Sequence, residues 1–289
     1  MTRHSRAARP VLLDSATGTE LARRGVAIDG PSWSAAAIVE APGVLAAVHR
    51  DAIAAGADVV TANTFRTHAR NLAPLGLDAD SLVGEAVRIA RDAAAACDCP
   101  VRVAGCVAPL ADCYDAAAAP SRDQQRREHD AHAARLQAAG VDVVLVETMT
   151  TIGEAVVAIE ANRASGRPVW ASVAVAADGR LYSGERFGDA IDAMQQAGAE
   201  AALANCFPAS LGRSLAATLA RVARVPWGLQ ANTGVLNADG IWADDGDTSP
   251  AAYATHAADW IAAGASLVGG CCGTTPDHLA AVRETLRFR

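Results

Sequence analysis

Polar and apolar positions recur along this chain in a fixed order: a helical stretch ends on glycine, and a short apolar run follows. The phrase appears as Ala55-Gly56-Ala57-Asp58-Val59-Val60, Ala139-Gly140-Val141-Asp142-Val143-Val144, Ala197-Gly198-Ala199-Glu200-Ala201-Ala202 and Ala263-Gly264-Ala265-Ser266-Leu267-Val268. Glycine closes a helix because it accepts the left-handed conformation of a C-terminal cap, and the apolar run after it reads as a strand. Further apolar runs lie between these, at Val11 to Leu13, Val101 to Ala104, Val169 to Val173 and Trp227 to Ala231, with helical patterns such as Glu85 to Ala96 separating them. Strands alternating with helices predict a parallel sheet, and eight such units predict its closure. The expected fold is α/β, a single (β/α)8 TIM-type barrel over residues 11–289 behind an N-terminal tail of residues 1–10.

The repeat also supplies a register. Eight positions on from the first alanine of each phrase stand Asn63, Glu147, Asn205 and Cys271. They fall at one level, at the C-terminal ends of the even strands, where barrel enzymes place their active sites. Asp14 at the end of the first strand and Asn232 at the end of the seventh join them from the odd set. Asparagine and aspartate also terminate strands as ordinary turn residues, which accounts for Asn63 or Asn232 taken singly. Glu147 is different, because it follows Val143-Val-Leu-Val146 directly and is expected half-buried, in need of a cationic or hydrogen-bonding partner.

Composition narrows the class. Hydrophobic residues make up 51% and aromatics 4%, so the core is built from Ala, Val, Leu and Ile, as suits helices packed on a buried parallel sheet. A net charge of -7 argues against a nucleic-acid or anionic-membrane partner. The N-terminus carries too few apolar residues for a signal segment, and no run reaches the length of a membrane span. The expectation is a cytoplasmic protein whose cysteines, seven in number, serve as thiols or metal ligands rather than disulfides.

Two adjacent cysteines, Cys271 and Cys272, close the eighth strand within Gly269-Gly-Cys-Cys-Gly-Thr-Thr275, and Cys206 closes the sixth in Asn205-Cys206-Phe207. Three thiolates at one barrel rim leave one coordination position open, which is the mark of a catalytic rather than a structural zinc site. An iron–sulfur cluster normally calls for four cysteines, so zinc, one per chain, is the metal expected. Thr275 and Pro276 signal a helix start whose positive end would favour the thiolates. Cys97 and Cys99 belong to the opposite rim, and Cys106 and Cys113 are read as bystanders. Of the histidines, only His68 lies near the active rim. His49, His129, His132, His256 and His278 are placed on helix surfaces.

These residues resemble the homocysteine S-methyltransferase family. The likeness runs almost end to end, through Leu13-Asp14-Ser-Ala-Thr-Gly-Thr-Glu20, Thr61-Ala-Asn63-Thr64-Phe65, Val146-Glu147-Thr148, Asn205-Cys206 and Gly269-Gly-Cys271-Cys272-Gly-Thr-Thr-Pro276. The resemblance implies zinc bound by Cys206, Cys271 and Cys272, with homocysteine sulfur as fourth ligand. It implies that Asp14 and Glu147 hold the substrate amino group and that backbone N–H groups at Ala16 and Thr17 receive its carboxylate. Asn63 and Asn232 match polar positions of the same pocket. The implied reaction is methyl transfer from a small sulfonium donor, S-methylmethionine or S-adenosylmethionine, to homocysteine, giving methionine. Arg66 and His68 are candidates to touch the donor, as is Trp242 through its aromatic face, with Asp244 and Asp245 beside it. Betaine or another onium donor, a related thiol acceptor, a non-catalytic zinc or homocysteine binder, and a carboxylate-based hydrolase or aldolase are the alternatives. The chain departs from many relatives at Val235, where they carry glutamate after the glycine. Its end at Arg289 suggests a stand-alone enzyme without folate or cobalamin modules.

Overall fold

The computed structural model describes residues 9–28, 30, 32–236, 242–243 and 249–287, with backbone alone at 235–236, 242–243 and 287. Strands β1 (Val11–Leu12), β2 (Val59–Ala62), β3 (Arg102–Val107), β4 (Val143–Met149), β5 (Val169–Ala174), β6 (Ala201–Pro208) and β7 (Trp227–Asn232) are followed by a short hairpin of β8 (Val235–Leu236) and β9 (Trp242–Ala243), and then by β10 (Leu267–Gly270). The helices are α1 (Thr17–Arg23), α2 (Ala37–Glu40), α3 (Pro42–Ala54), α4 (Ala69–Leu72), α5 (Ala79–Ala95), α6 (Arg122–Ala139), α7 (Ile152–Arg163), α8 (Phe187–Ala197), α9 (Gly212–Val222), α10 (Pro250–Ala262) and α11 (Pro276–Arg287). The sheet runs β1-β10-β7-β6-β5-β4-β3-β2 with parallel neighbours, and a parallel bridge from Leu13 to Val59 joins its two ends. This is the (β/α)8 arrangement expected from the repeat. The β8–β9 hairpin was not anticipated.

The repeated phrase has a physical basis in the structure. Its glycines, Gly56, Gly140, Gly198 and Gly264, all adopt positive φ, from 74° to 111°. Its acids brace the preceding strand: Asp58 Oδ2 accepts the Leu12 N–H, and Asp142 Oδ2 accepts the Val103 N–H, each at 2.8 Å. Side chains of a strand alternate between faces. Along β4, Val143 and Leu145 therefore join the inner cluster with Leu13, Ala201, Leu203 and Leu267, while Val144 and Val146 pack outward against the helices. The next inner position on β4 is Glu147, and on β6, after Ala201 and Leu203, it is Asn205. The barrel interior is thus apolar below and polar at its C-terminal rim.

Two expectations are corrected. Cys97 and Cys99, which were read as free thiols, are joined in a disulfide between α5 and β3, away from the active rim. His49, His129, His132 and His278, placed on helix surfaces from their polar surroundings, are buried. His129 and His132 stand three residues apart on one face of α6 and turn inward, where His132 Nε2 meets the Cys106 carbonyl oxygen at 3.1 Å and His129 Nε2 lies 3.2 Å from Glu154 Oε1. Among the described residues no helix is long and apolar enough to cross a membrane.

Candidate functional site

Two irregular strand ends build the site. Pairing shifts register between Val146 and Met149 on β4 and between Asn205 and Pro208 on β6. Within these bulges Thr148 has φ +61° and Cys206 φ +56°, left-handed conformations that cost a non-glycine residue free energy and concentrate at functional sites. Asn205, fully buried, ties the two bulges together: its Oδ1 accepts the Thr148 N–H at 3.0 Å, and its Nδ2 donates to Thr148 Oγ1 at 2.8 Å. The same Nδ2 lies 3.4 Å from Glu147 Oε2 and 3.9 Å from Cys271 Sγ. The register pointed to Asn205 without showing that it is the brace of the site rather than part of its wall.

The thiol trio assembles as anticipated. Cys271 Sγ lies 3.3 Å from Cys206 Sγ, Cys206 Sγ lies 3.8 Å from Cys272 Sγ, and all three sulfurs fall within 4.8 Å of one another. Sulfurs at ~2.3 Å from a tetrahedral zinc are separated by ~3.8 Å, so the group fits such an ion with little adjustment. Among the described residues it is the one cluster of cysteine, histidine or carboxylate ligands close enough to hold a metal. Hydrogen bonds from Cys206 and then Cys272 hold the Cys271 thiol well below its usual pKa, and the same bond to Cys271 raises Cys206. The turn carrying the doublet is pinned on several sides. Cys271 N–H donates to the Ala231 carbonyl at 2.9 Å, Thr274 Oγ1 donates to the Cys271 carbonyl at 2.7 Å, and Gly273 N–H donates to Thr19 Oγ1 at 3.0 Å. Gly273 has φ +80°, and a Cβ there would lie 2.3 Å from the Thr233 carbonyl oxygen, so only glycine fits. At the start of α11, Thr275 turns its N–H to His278 Nδ1 at 3.1 Å, a reciprocal cap made with the histidine.

Asp14 and Glu147 face the same cavity of about 420 Å³ as the three cysteines. Asp14 Oδ2 accepts the Thr61 N–H at 2.6 Å and Oδ1 accepts the Thr61 hydroxyl at 2.9 Å, yet burial outweighs these bonds and raises its pKa from 3.8 to about 6. Glu147 is pushed up to about 8, first by burial and then by the Cys271 thiolate. A buried acid, Asp14, and a half-buried one, Glu147, beside a thiolate form an anionic recess that calls for a cation.

Further lining residues were missed or set aside in the sequence. Cys106 and Cys113, read as bystanders, both line the cavity, as do Trp33, Phe65 and Tyr114. Trp33 reaches the cavity by packing on Gly18 of α1, where a Cβ would lie 2.4 Å from the indole Cη2. Its ring sits 5.5 Å from Phe65, and the Tyr114 hydroxyl lies 3.5 Å from Cys206 Sγ. Cys106 belongs to β3 and Trp33 opens a short 3-10 turn, while Phe65, Cys113 and Tyr114 come from loops, where no periodicity announces them. Arg66 and Thr17 line the cavity as expected, and so does Ala16, although its N–H is bound to Thr274 Oγ1 at 3.2 Å. Asn63 lines it too, with both ends of its amide held by Ser34.

Two candidates are not brought to the cavity. Asn232 is buried outside its lining, where Gln230 of the same strand takes the place. His68 is buried behind the wall, its ring 4.3 Å from His132 and 5.7 Å from His129. The Trp242 side chain, Asp244 and Asp245 lie outside the described residues.

The chain matches the Homocysteine S-methyltransferase family over residues 11–286. It is 30% identical to the homocysteine S-methyltransferase of Escherichia coli, an alignment covering 94% of each chain. It is 33% identical to the methionine synthase of Mycobacterium tuberculosis over 83% of its own length but spans only 21% of that larger protein. The crystal structure of the metallated form of the Escherichia coli homocysteine methyltransferase MmuM superposes with a TM-score of 0.82 at 26% identity, covering 96% of this chain and 97% of that one. The oxidised form of the same enzyme gives 0.83 at 27% identity, covering 96% of each chain. With its barrel, its thiol trio and its paired acids on one rim, the chain belongs to the homocysteine S-methyltransferase family, and it is a methyltransferase.

Proposed function

We propose that this enzyme transfers a methyl group from a small sulfonium donor, S-methylmethionine or S-adenosylmethionine, to the sulfur of L-homocysteine, with Zn2+ held by Cys206, Cys271 and Cys272. The observation that carries the reading is the placement of three sulfurs within 4.8 Å of one another in the same recess as the acids Asp14 and Glu147. A zinc ion carrying three thiolates supplies the deprotonation that keeps a substrate thiol nucleophilic at neutral pH.

The chain's own groups then do the rest. Asp14 and Glu147 take the substrate ammonium, whose positive charge offsets the cost of holding one carboxylate buried and another half-buried. Asp14 is fixed for this task because both its oxygens are already anchored by Thr61, which suits a stationary acceptor better than a mobile general base. The carboxylate lies toward Thr17, since the Ala16 N–H is bound to Thr274. Asn205 holds Glu147 and the Thr148 bulge, and so sets the distance between the ammonium and the sulfurs. Methyl transfer forms a carbon–sulfur bond to homocysteine and breaks the one to the donor, whose sulfur keeps the electron pair. The leaving group is a neutral thioether, so no proton has to be supplied, and the rim indeed presents no acid–base histidine among the lining residues. The thiols must stay reduced, as a cytoplasmic setting allows.

Methionine formation from homocysteine, tested across S-methylmethionine, S-adenosylmethionine and betaine, decides the reading. Turnover with one or both sulfonium donors is expected. Turnover with betaine alone, or homocysteine binding without turnover on any donor, would overturn it.

A further inference from the structure

We infer that Arg66 selects the methyl donor by receiving a carboxylate on it, so that the enzyme takes zwitterionic onium compounds and rejects bare cations. The inference rests on the functional reading above and adds the class of donor to it.

Arg66 is the one basic residue among those lining the cavity, against the acids Asp14, Asp112 and Glu147. Its guanidinium lies over the Phe65 ring, 5.3 Å from the centroid, and Nη1 donates to the Ala111 carbonyl at 2.9 Å. Among the described residues it forms no other hydrogen bond and no ion pair, although it is half-buried. Its neighbour Arg70 shows the contrast, for Nε and Nη2 of Arg70 each reach Glu128 at 2.7 Å. Arg66 is therefore held in place by one hydrogen bond and one ring, on the cavity wall, with the other donors of its fork unused among the described residues.

A cation fixed at that point would repel a simple sulfonium or quaternary ammonium ion entering the same space. A guanidinium fork matches a carboxylate in bidentate geometry and gains both charge and direction from it. The donor that suits the cavity therefore carries a positive methyl-bearing centre and, a few bonds away, a carboxylate. The thiolate recess and Asp112 attract the onium end while Arg66 takes the other, which orients the methyl group inward.

The test compares donors that differ only in the anion. Turnover is measured with S-methylmethionine and with its carboxamide, in the wild type, Arg66→Gln and Arg66→Lys. Glutamine can still bond the Ala111 carbonyl, so damage to the loop would lower both donors alike. The expected result is a rise of roughly tenfold or more in KM for S-methylmethionine in Arg66→Gln, partial recovery in Arg66→Lys, and little change in KM for homocysteine or for the carboxamide. Equal effects on both donors, or none on either, would overturn the assignment. Binding of dimethylsulfoniopropionate and of trimethylsulfonium, measured by calorimetry without homocysteine, gives an answer independent of turnover. The wild type should prefer the carboxylate-bearing ion and Arg66→Gln should lose the preference, whereas equal affinity in the wild type would count against the inference. If no donor is turned over but this preference holds, the reaction assignment fails and the role of Arg66 stands.

Discussion

Asn205 grips Thr148 from both sides, accepting its N–H on Oδ1 at 3.0 Å and donating from Nδ2 to its hydroxyl at 2.8 Å. The pair locks two strand ends whose key residues, Thr148 and Cys206, both adopt left-handed backbone that the local chain would not choose alone. Replacing Asn205 by alanine leaves the Thr148 N–H unsatisfied in a buried place, which costs about 1–3 kcal/mol. We expect Asn205→Ala to lower the melting temperature and to reduce metal retention and turnover together. Unchanged metal affinity in that variant, measured by chelator competition, would show that the brace is dispensable.

The Cys271–Cys272 turn depends on Gly273 in a comparable way. Alanine there would need φ +80° and would press a Cβ against the Thr233 carbonyl at 2.3 Å. Gly273→Ala should cost at least ~1–3 kcal/mol in strain and displace the doublet. Loss of bound metal at temperatures where the variant remains folded, followed by circular dichroism and metal analysis, is the expected outcome.

Substrate affinity should follow the ionisation of Asp14. Burial raises this carboxyl to about 6, and only its ionised form attracts an ammonium group. The KM for homocysteine should therefore climb as pH falls through 6, since protonation of Asp14 removes its charge, in addition to the change near pH 8 that follows the ionisation of Glu147. Asp14→Asn should bind homocysteine weakly at every pH and lose this dependence. A wild-type KM that stays constant down to pH 5 would contradict the assignment.

Acid stability follows the buried histidines. Burial lowers both His49 and His132 to about 4, and burial likewise holds His68 well below its usual value, with the nearby His132 and His129 adding to the effect. Unfolding releases these rings to bind protons near pH 6.5, so the unfolded chain gains protons that the folded one refuses. The stability they contribute is fully present above pH 6.5 and is lost progressively as pH falls toward 4. His49 has no hydrogen-bond partner on either ring nitrogen, so His49→Leu should remove part of that slope without harming the neutral-pH protein. A melting temperature that is independent of pH between 6.5 and 4 would rule this out.

Much of the barrel was legible because it is periodic. The glycine-capped phrase marks even strands, and counting from it reaches Glu147, Asn205 and Cys271 at one level, where the structure connects all three through the Asn205 amide. What periodicity could not show is what the loops deliver. Trp33, Tyr114 and Cys113 enter the cavity from segments whose path depends on close contacts such as that of Trp33 with Gly18. The polar run of α6 reads as a solvated helix face, and nothing local reveals that His129 and His132 turn inward to Glu154 and the Cys106 carbonyl. Asn232 illustrates the opposite error. It matches a strand-end position but stands outside the cavity, and Gln230, two residues back, lines it.

The claim that matters most is that Cys206, Cys271 and Cys272 together hold the metal on which methyl transfer depends. Metal analysis of the purified protein and of the Cys206→Ser, Cys271→Ser and Cys272→Ser variants, read alongside methionine formation, tests it directly. The account predicts one zinc per wild-type chain, with zinc and activity lost together in each variant while the fold persists. Full zinc content in a variant lacking all three thiols, or undiminished methyl transfer without them, would contradict it.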